Sequence, residues 1–282
     1  VLLCDLLIIK ILYYTYVMTQ AEILYDYTPP SILKNDKTFI PAKVNRFVAF
    51  AFYHIFEHMI KSNFASIRMK NLRYYNLRDK NKANIFYAPH QCWWDGPVGY
   101  YLSQKVFKTN IRIMVEDLSS FPILSGIGCF SVSKSNPSLA VKSLKYVISF
   151  LKEQTGSLWI FPQGMIKPPD FRPVSFASGM SYIAQQMDGI NLFPLSFRYE
   201  FLRCEQPEIL VELGKPILLK KPIKDRKKFN SFLEKNFEEN LNAQRLDISQ
   251  GKLDNYVKIL ERHEPILRRI EKKLKSYDKW RA

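Results

Sequence analysis

The 282 residues are enough for one large domain or a domain with appendages, and 47% of them are hydrophobic, so a sizeable core can form. Lys and Arg outnumber Asp and Glu by 42 to 26, and a net charge of +16 implies an anionic partner: nucleic acid, phospholipid headgroups or a phosphorylated cofactor. Four scattered cysteines (Cys4, Cys92, Cys129, Cys204) with no C-x-x-C pair speak against a zinc ribbon or a disulfide framework and read as reduced, cytoplasmic thiols.

The opening "VLLCDLLIIKILYYTYVM" is apolar but broken by Asp5 and Lys10, whereas a spanning helix prefers about 20 clean apolar residues. It lacks the basic n-region and small-residue cleavage site of a signal peptide. It reads as an interfacial helix, or as sequence upstream of a start at Met18. The Pro-bounded, polar stretch Tyr27–Pro41 reads as a linker, which closes an N-terminal segment of residues 1–41.

A main domain is expected over residues 42–218. It leads with "AKVNRFVAFAFYHIFEHMIKSNF", in which Phe47, Phe50, Phe52, Ile55, Phe56, Met59 and Ile60 cover much of a helix with basic ends. That pattern suits a membrane interface, or equally a helix packed on the core. Its "HIFEH" fits the H-x-x-E-H metalloprotease pattern, but a zinc site needs a third ligand, and only His90 and His263 remain to supply a histidine. No metal is expected.

Strands are expected at "FASIRMKNL", "NIFYAP", "NIRIMV", "GSLWIFP", "NLFPLSFRYEF" and "EILVELGKPI". Helices are expected at "PVGYYLSQKVF", at "PSLAVKSLKYVISFLKEQ" with Ser138 as N-cap, and at "FASGMSYIAQQMDG" ending at Gly189. Strands alternating with helices argue for an α/β fold with a mixed, mainly parallel sheet flanked by helices. Residues 219–282 read as a basic helical C-terminal extension. From Lys215 onward there are 19 Lys or Arg against 10 Asp or Glu, and "ILERHEPILRRIEKKLKSYDKW" is amphipathic, fit to cover the domain or to rest on anionic lipid.

Three stretches carry candidate chemistry. In "NIFYAPHQCWWDGP" a strand ends before His90, and Asp95 stands where a helix begins, the kind of loop where α/β active sites gather. A His needs its second ring nitrogen held by an acceptor to act as a directed base, and Asp95 is within reach if the loop doubles back. The bland alternative is an N-cap Asp beside an incidental His. Cys92 invites a Cys–His nucleophile, but neighbouring loop residues rarely aim at one another. The second stretch, "GSLWIFPQG", is another strand exit, followed by Lys167 and Arg172. The third, "GCFSVSK", places Lys134 after a short strand as a phosphate-binding candidate.

In this order, and with Phe193 and Pro194 as a fourth block, these stretches resemble the PlsC-type glycerolipid acyltransferases of the lysophospholipid acyltransferase superfamily, in an F-P-Q-G variant. "HQCWWD" looks like that family's H-x4-D motif, "GCFSVSK" its G-x-x-F-I-D-R block and "FPQG" its F-P-E-G. The resemblance spans roughly residues 64–217. It implies His90 as catalytic base with Asp95 as orienting carboxylate, and a substrate-binding set of Lys134, Phe161, Pro162, Gln163, Gly164, Lys167 and Arg172. Gln163 stands in place of the family's Glu, Ile166 in place of an Arg and Lys134 in place of another, so the acceptor stays open among lysophosphatidate-like and other hydroxyl- or amine-bearing lipids.

The resemblance further implies an O-acyltransferase, like the 1-acylglycerol-3-phosphate acyltransferases. Acyl-CoA or acyl carrier protein would be co-substrate and there would be no bound cofactor. A lipid acceptor and an anionic membrane surface are the expected partners, at the cytoplasmic face of a membrane, with oxyanion-stabilising amides near Gly164. A nucleic-acid-binding protein is the distant alternative, since no recognisable motif supports it. A non-catalytic lipid-binding relative is the other, motivated by Gln163 and Ile166.

Overall fold

The structure is a computed structural model that describes residues 38–116, 118–153, 156–202 and 205–262. Asn45 caps α1 (Arg46–Asn63) through its side chain, which accepts from the Phe47 and Val48 amides. Then follow β1 (Ser66–Lys70), β2 (Asn84–Tyr87), α2 (Asp95–Leu102), β3 (Ile111–Val115), β4 (Cys129–Ser131), α3 (Pro137–Glu153) and β5 (Ser157–Ile160). The chain continues through α4 (Gly179–Gln186), β6 (Ile190–Glu200), β7 (Glu208–Leu213), β8 (Ile217–Leu219), α5 (Arg226–Ser249) and β9 (Val257–Glu261).

The strands form one mixed sheet in the order β4-β3-β5-β2-β6-β7-β1-β9, with β8 also on β6. From β4 to β6 every pairing is parallel; β7 runs antiparallel to β6, and β9 antiparallel to β1. This is the expected mixed, mainly parallel α/β architecture.

Alternation along the strands divides the core into two faces. Ile85, Tyr87, Leu158, Ile160 and Leu192 share one apolar cluster with residues of α3, α4 and α5. The opposite face is aromatic: Phe86 stacks on Phe107, Trp159 and Phe193. On that side α2 rides so close to β5 that a Cβ at Gly99 would lie 2.7 Å from the Trp159 ring. Only glycine permits the approach, and it fixes the height of Asp95 at the start of the helix.

Four expectations need correction. Asn136, not Ser138, caps α3, since its side chain accepts from the Ser138 and Leu139 amides. "EILVELGKPI" is two strands, because β7 ends at Leu213 and β8 returns to the start of β6. Position 218 is no domain boundary: α5 buries Leu233, Phe237 and Leu241 in the main core, and β9, which takes Ile259 to Glu261 from the expected terminal helix, extends the sheet. Position 41 is none either, because Ile40 exchanges hydrogen bonds with Ser131 and Phe39 packs on the core. The described residues fall in one compact unit, residues 35–282. The expectations for residues 1–37 and for the final stretch from residue 263 lie outside the described residues.

Helix α1 packs one face on the core and leaves another exposed. Phe52, Phe56 and Ile60 are buried, while Phe47 and Phe50 are 86% and 68% exposed. No helix among the described residues is long and apolar enough to cross a membrane.

Candidate active site

The loop after β2 doubles back as its sequence requires. His90 Nδ1 lies 2.9 Å from Asp95 Oδ2, and the same oxygen accepts the amides of Gln91 (2.5 Å) and Cys92 (2.9 Å). Asp95 is therefore not an N-cap. It is the first residue of α2, and its carboxylate turns back into the loop that precedes it. The second oxygen, Oδ1, accepts the Tyr199 hydroxyl at 2.7 Å.

Asp95 is fully buried, and these donors satisfy both of its oxygens. A carboxylate only accepts, so the imidazole proton resides on Nδ1. Nε2 is then the nitrogen able to accept a proton, on a side chain 28% exposed.

Neighbouring strand exits hold the loop. Gln91 donates its side-chain amide to Phe197 O on β6 at 2.7 Å. From the turn after β5, Gln163 Oε1 accepts the His90 amide at 3.2 Å, and the Lys167 amide donates to His90 O at 2.8 Å. Phe161 lies against the imidazole ring. Gly164 adopts φ +69°, a left-handed conformation suited to glycine. Its amide closes the turn on Phe161 O at 3.0 Å, so that particular amide is not aimed at an oxyanion.

The structure divides the expected substrate-binding set. Phe161, Gln163 and Lys167 touch His90 directly, and Gly164 shapes the turn. Pro162 accepts the Ala177 amide and steers the chain towards α4. Lys134 reaches the turn as well, since a Cβ on Gly164 would lie 3.5 Å from its side chain, but its ammonium is paired with Glu116. The Lys167 ammonium sits over the Phe171 ring, 4.4 Å from its centre. Arg172 is committed to protein: it donates to Pro169 O, Phe171 O and Asn242 on α5, and burial pulls its pKa below the usual arginine value.

Cys92 and Cys129 are free thiols. Burial, and then the Asp95 charge, push the Cys92 thiol up to about 12, which suits no nucleophile at neutral pH. His54 and His58 stand exposed on α1 with Glu57 bound to Lys61, and among the described residues no cluster has the ligands for a metal.

Sequence reasoning missed Tyr199, Gln91 and Glu116. Odd positions of β6 face α2, where Phe193 and Phe197 meet the aromatic layer, so period-2 counting from Phe193 puts Tyr199 on the side of Asp95. Nothing in the sequence marks it off from the other aromatic residues of that strand.

Residues 67–198, which hold this whole constellation except Tyr199, match the model of the family described as Acyltransferase. No curated protein gives a significant match. Among solved structures, the chain is similar to the crystal structure of the 1-acyl-sn-glycerophosphate (LPA) acyltransferase PlsC from Thermotoga maritima. The two are 16% identical over 70% of this chain and 80% of that one, with a TM-score of 0.49. Over residues 67–198 the chain is thus similar to the acyltransferase family.

Proposed function

We propose that the protein moves a fatty acyl group from an acyl thioester, carried on CoA or acyl carrier protein, to a hydroxyl of a lipid acceptor such as a lysophospholipid. The observation that carries this reading is the buried Asp95 bonded to His90 Nδ1, with Nε2 left for the acceptor. Nε2 takes the hydroxyl proton as the oxygen attacks the thioester carbonyl. The new ester C–O bond forms, the C–S bond breaks, and the imidazolium returns its proton to the departing thiolate. Asp95 holds the tautomer and stabilises the imidazolium. A positioned base contributes on the order of 10²–10⁴ in rate. The step needs no acyl-enzyme.

The reaction takes place at a membrane surface, at its cytoplasmic face. Trp93, Met165, Ile166 and Phe171 are exposed on the same two loops that hold His90 and Gln163, and Phe47 and Phe50 project from α1. Exposed apolar side chains concentrated around a site, on a chain of net charge +16, fit an anionic bilayer. Each cation of the substrate-binding set already has a partner: Lys134 has Glu116, Lys167 has Phe171 and Arg172 has Asn242. This favours an acceptor with a zwitterionic or uncharged headgroup over a phosphate monoester.

The test is purified protein with labelled acyl-CoA or acyl carrier protein and a panel of lysolipids in mixed micelles. Ester formation that His90→Ala abolishes is the expected result. Equal rates for wild type and His90→Ala end the assignment. Tight lipid binding without turnover on any acceptor means a non-catalytic relative.

A further inference from the structure

We propose that Tyr199 is a positioning residue for His90 and that it acts through Asp95. The assignment rests on the reading of His90 as the acyl-transfer base. The Asp95 carboxylate divides its contacts unevenly. Oδ2 receives the His90 ring and two loop amides. Oδ1 receives the Tyr199 hydroxyl at 2.7 Å, with only the Cys92 thiol, a weak donor 3.8 Å away, beside it. The amides belong to the loop that must be held still. Tyr199 alone among these donors comes from the sheet.

The hydroxyl therefore anchors the catalytic loop to β6 through the carboxylate. Gln91, which donates to Phe197 O two residues earlier on the same strand, is the parallel anchor. Asp95 has no exposed surface, so no water can replace a lost donor there, and a carboxylate oxygen without one is costly. With the hydroxyl removed, the carboxylate is free to turn and Oδ2 no longer meets Nδ1 at a fixed angle.

Tyr199 is suited to the task. Burial foremost, and then the Asp95 charge, raise its pKa well above the usual tyrosine value, so it remains a donor wherever the enzyme works. Its ring packs beside Phe64, 5.7 Å between centroids, and that contact survives replacement by Phe. The charged neighbours Arg198 and Glu200 point away from Asp95: Arg198 pairs with Asp170, and Glu200 lies 3.7 Å from Arg198.

The decisive variant is Tyr199→Phe, which removes one oxygen. Circular dichroism should match wild type, while the unfolding temperature should fall by only several degrees, the cost of the Asp95 oxygen losing its donor. kcat should fall about 10- to 100-fold while KM for thioester and acceptor stays within about twofold, the split of an interaction used in the transition state. In an Asp95→Asn background the same change should cost less than about twofold, because the partner is already altered. A readout independent of turnover is the downfield proton resonance of His90 Nδ1–H. It should be present in wild type, absent in His90→Ala, and broadened or displaced in Tyr199→Phe.

An unchanged resonance together with unchanged kcat overturns the proposal. So does a full loss of kcat that persists beside Asp95→Asn, since Tyr199 would then act by another route. If no acceptor is acylated, the proposed reaction fails, and the resonance alone still decides whether Tyr199 holds the pair.

Discussion

The imidazole of His90 lies nearly flat on Phe161, with ring centres 4.7 Å apart and planes 20° from parallel. Asp95 sets the rotation of the imidazole about one nitrogen, and Phe161 sets the plane in which it rotates. Offset aromatic contacts are worth about 0.5–1.5 kcal/mol beyond their buried area. Phe161→Leu keeps the bulk and loses the flat face. We expect kcat to fall about tenfold or less, with acceptor KM nearly unchanged, as measured by steady-state kinetics. A larger change in KM than in kcat would place Phe161 against the substrate instead.

Gln163 receives the His90 amide, and this gives the departure from F-P-E-G a structural meaning. A neutral amide oxygen accepts that N–H as a carboxylate would. Gln163→Glu should therefore keep the loop in place and retain most activity. Gln163→Leu removes the acceptor, and a net hydrogen bond of about 1 kcal/mol corresponds to about a fivefold loss in kcat/KM. Parallel assays of the two variants separate holding the loop from accepting a proton. If Glu and Leu are equally damaging, the hydrogen bond is not what matters.

Much of this was legible in the sequence, and the limits have physical causes. β2 and β5 announce themselves as apolar runs ending in Pro, so the loops that carry His90 and Phe161 could be placed on one sheet edge. The turn-back of Asp95 needed only a loop between strand and helix. Partners set by tertiary packing were hidden. Glu116 and Lys134 are 18 residues apart and meet because β3 and β4 are paired neighbours, a register that no local pattern encodes. β9 was missed because "VKILE" sits in a charged, amphipathic tail, where helical periodicity outweighs five residues of strand. Arg172 stood beside the F-P-Q-G turn in sequence, yet its side chain runs to α5.

Cys92 is a bystander as far as its sulfur is concerned. Burial and the neighbouring carboxylate hold its thiol near 12, so at neutral pH almost none is thiolate. Its backbone amide serves Asp95, and that amide survives substitution. Cys92→Ala should keep kcat/KM within about threefold of wild type, and iodoacetamide should inactivate slowly below pH 9. Rapid acyl labelling of Cys92 in a quenched reaction would demand a covalent mechanism.

Glu116 holds Lys134, whose side chain lies beside Gly164 of the F-P-Q-G turn. The pair is partly exposed, so its strength is modest, about 0.2–1 kcal/mol. A phosphate monoester must nonetheless displace a carboxylate to reach Lys134. Glu116→Gln should raise kcat/KM for lysophosphatidate relative to lysophosphatidylcholine by about threefold, within the range that such a pair supplies. Competition between the two lysolipids in one reaction measures the ratio directly. An unchanged ratio would remove Glu116 from acceptor selection.

Phe47 and Phe50 stand on the face of α1 opposite the buried Phe52 and Phe56, next to Lys43 and Arg46. Helix packing does not account for two exposed rings; the proposed membrane docking would insert them into a bilayer, with the basic residues at headgroup level. A fully buried Phe gains about 1.5–3 kcal/mol, and partial immersion of two such rings leaves a combined loss of roughly 10- to 100-fold in partitioning. Phe47→Ser with Phe50→Ser should weaken cosedimentation with phosphatidylglycerol vesicles to that degree and leave the unfolding temperature nearly unchanged. The rings contribute nothing to the core, so stability and membrane binding separate in this variant. Unaltered binding would move the docking face elsewhere, to the loops that carry Trp93 and Ile166.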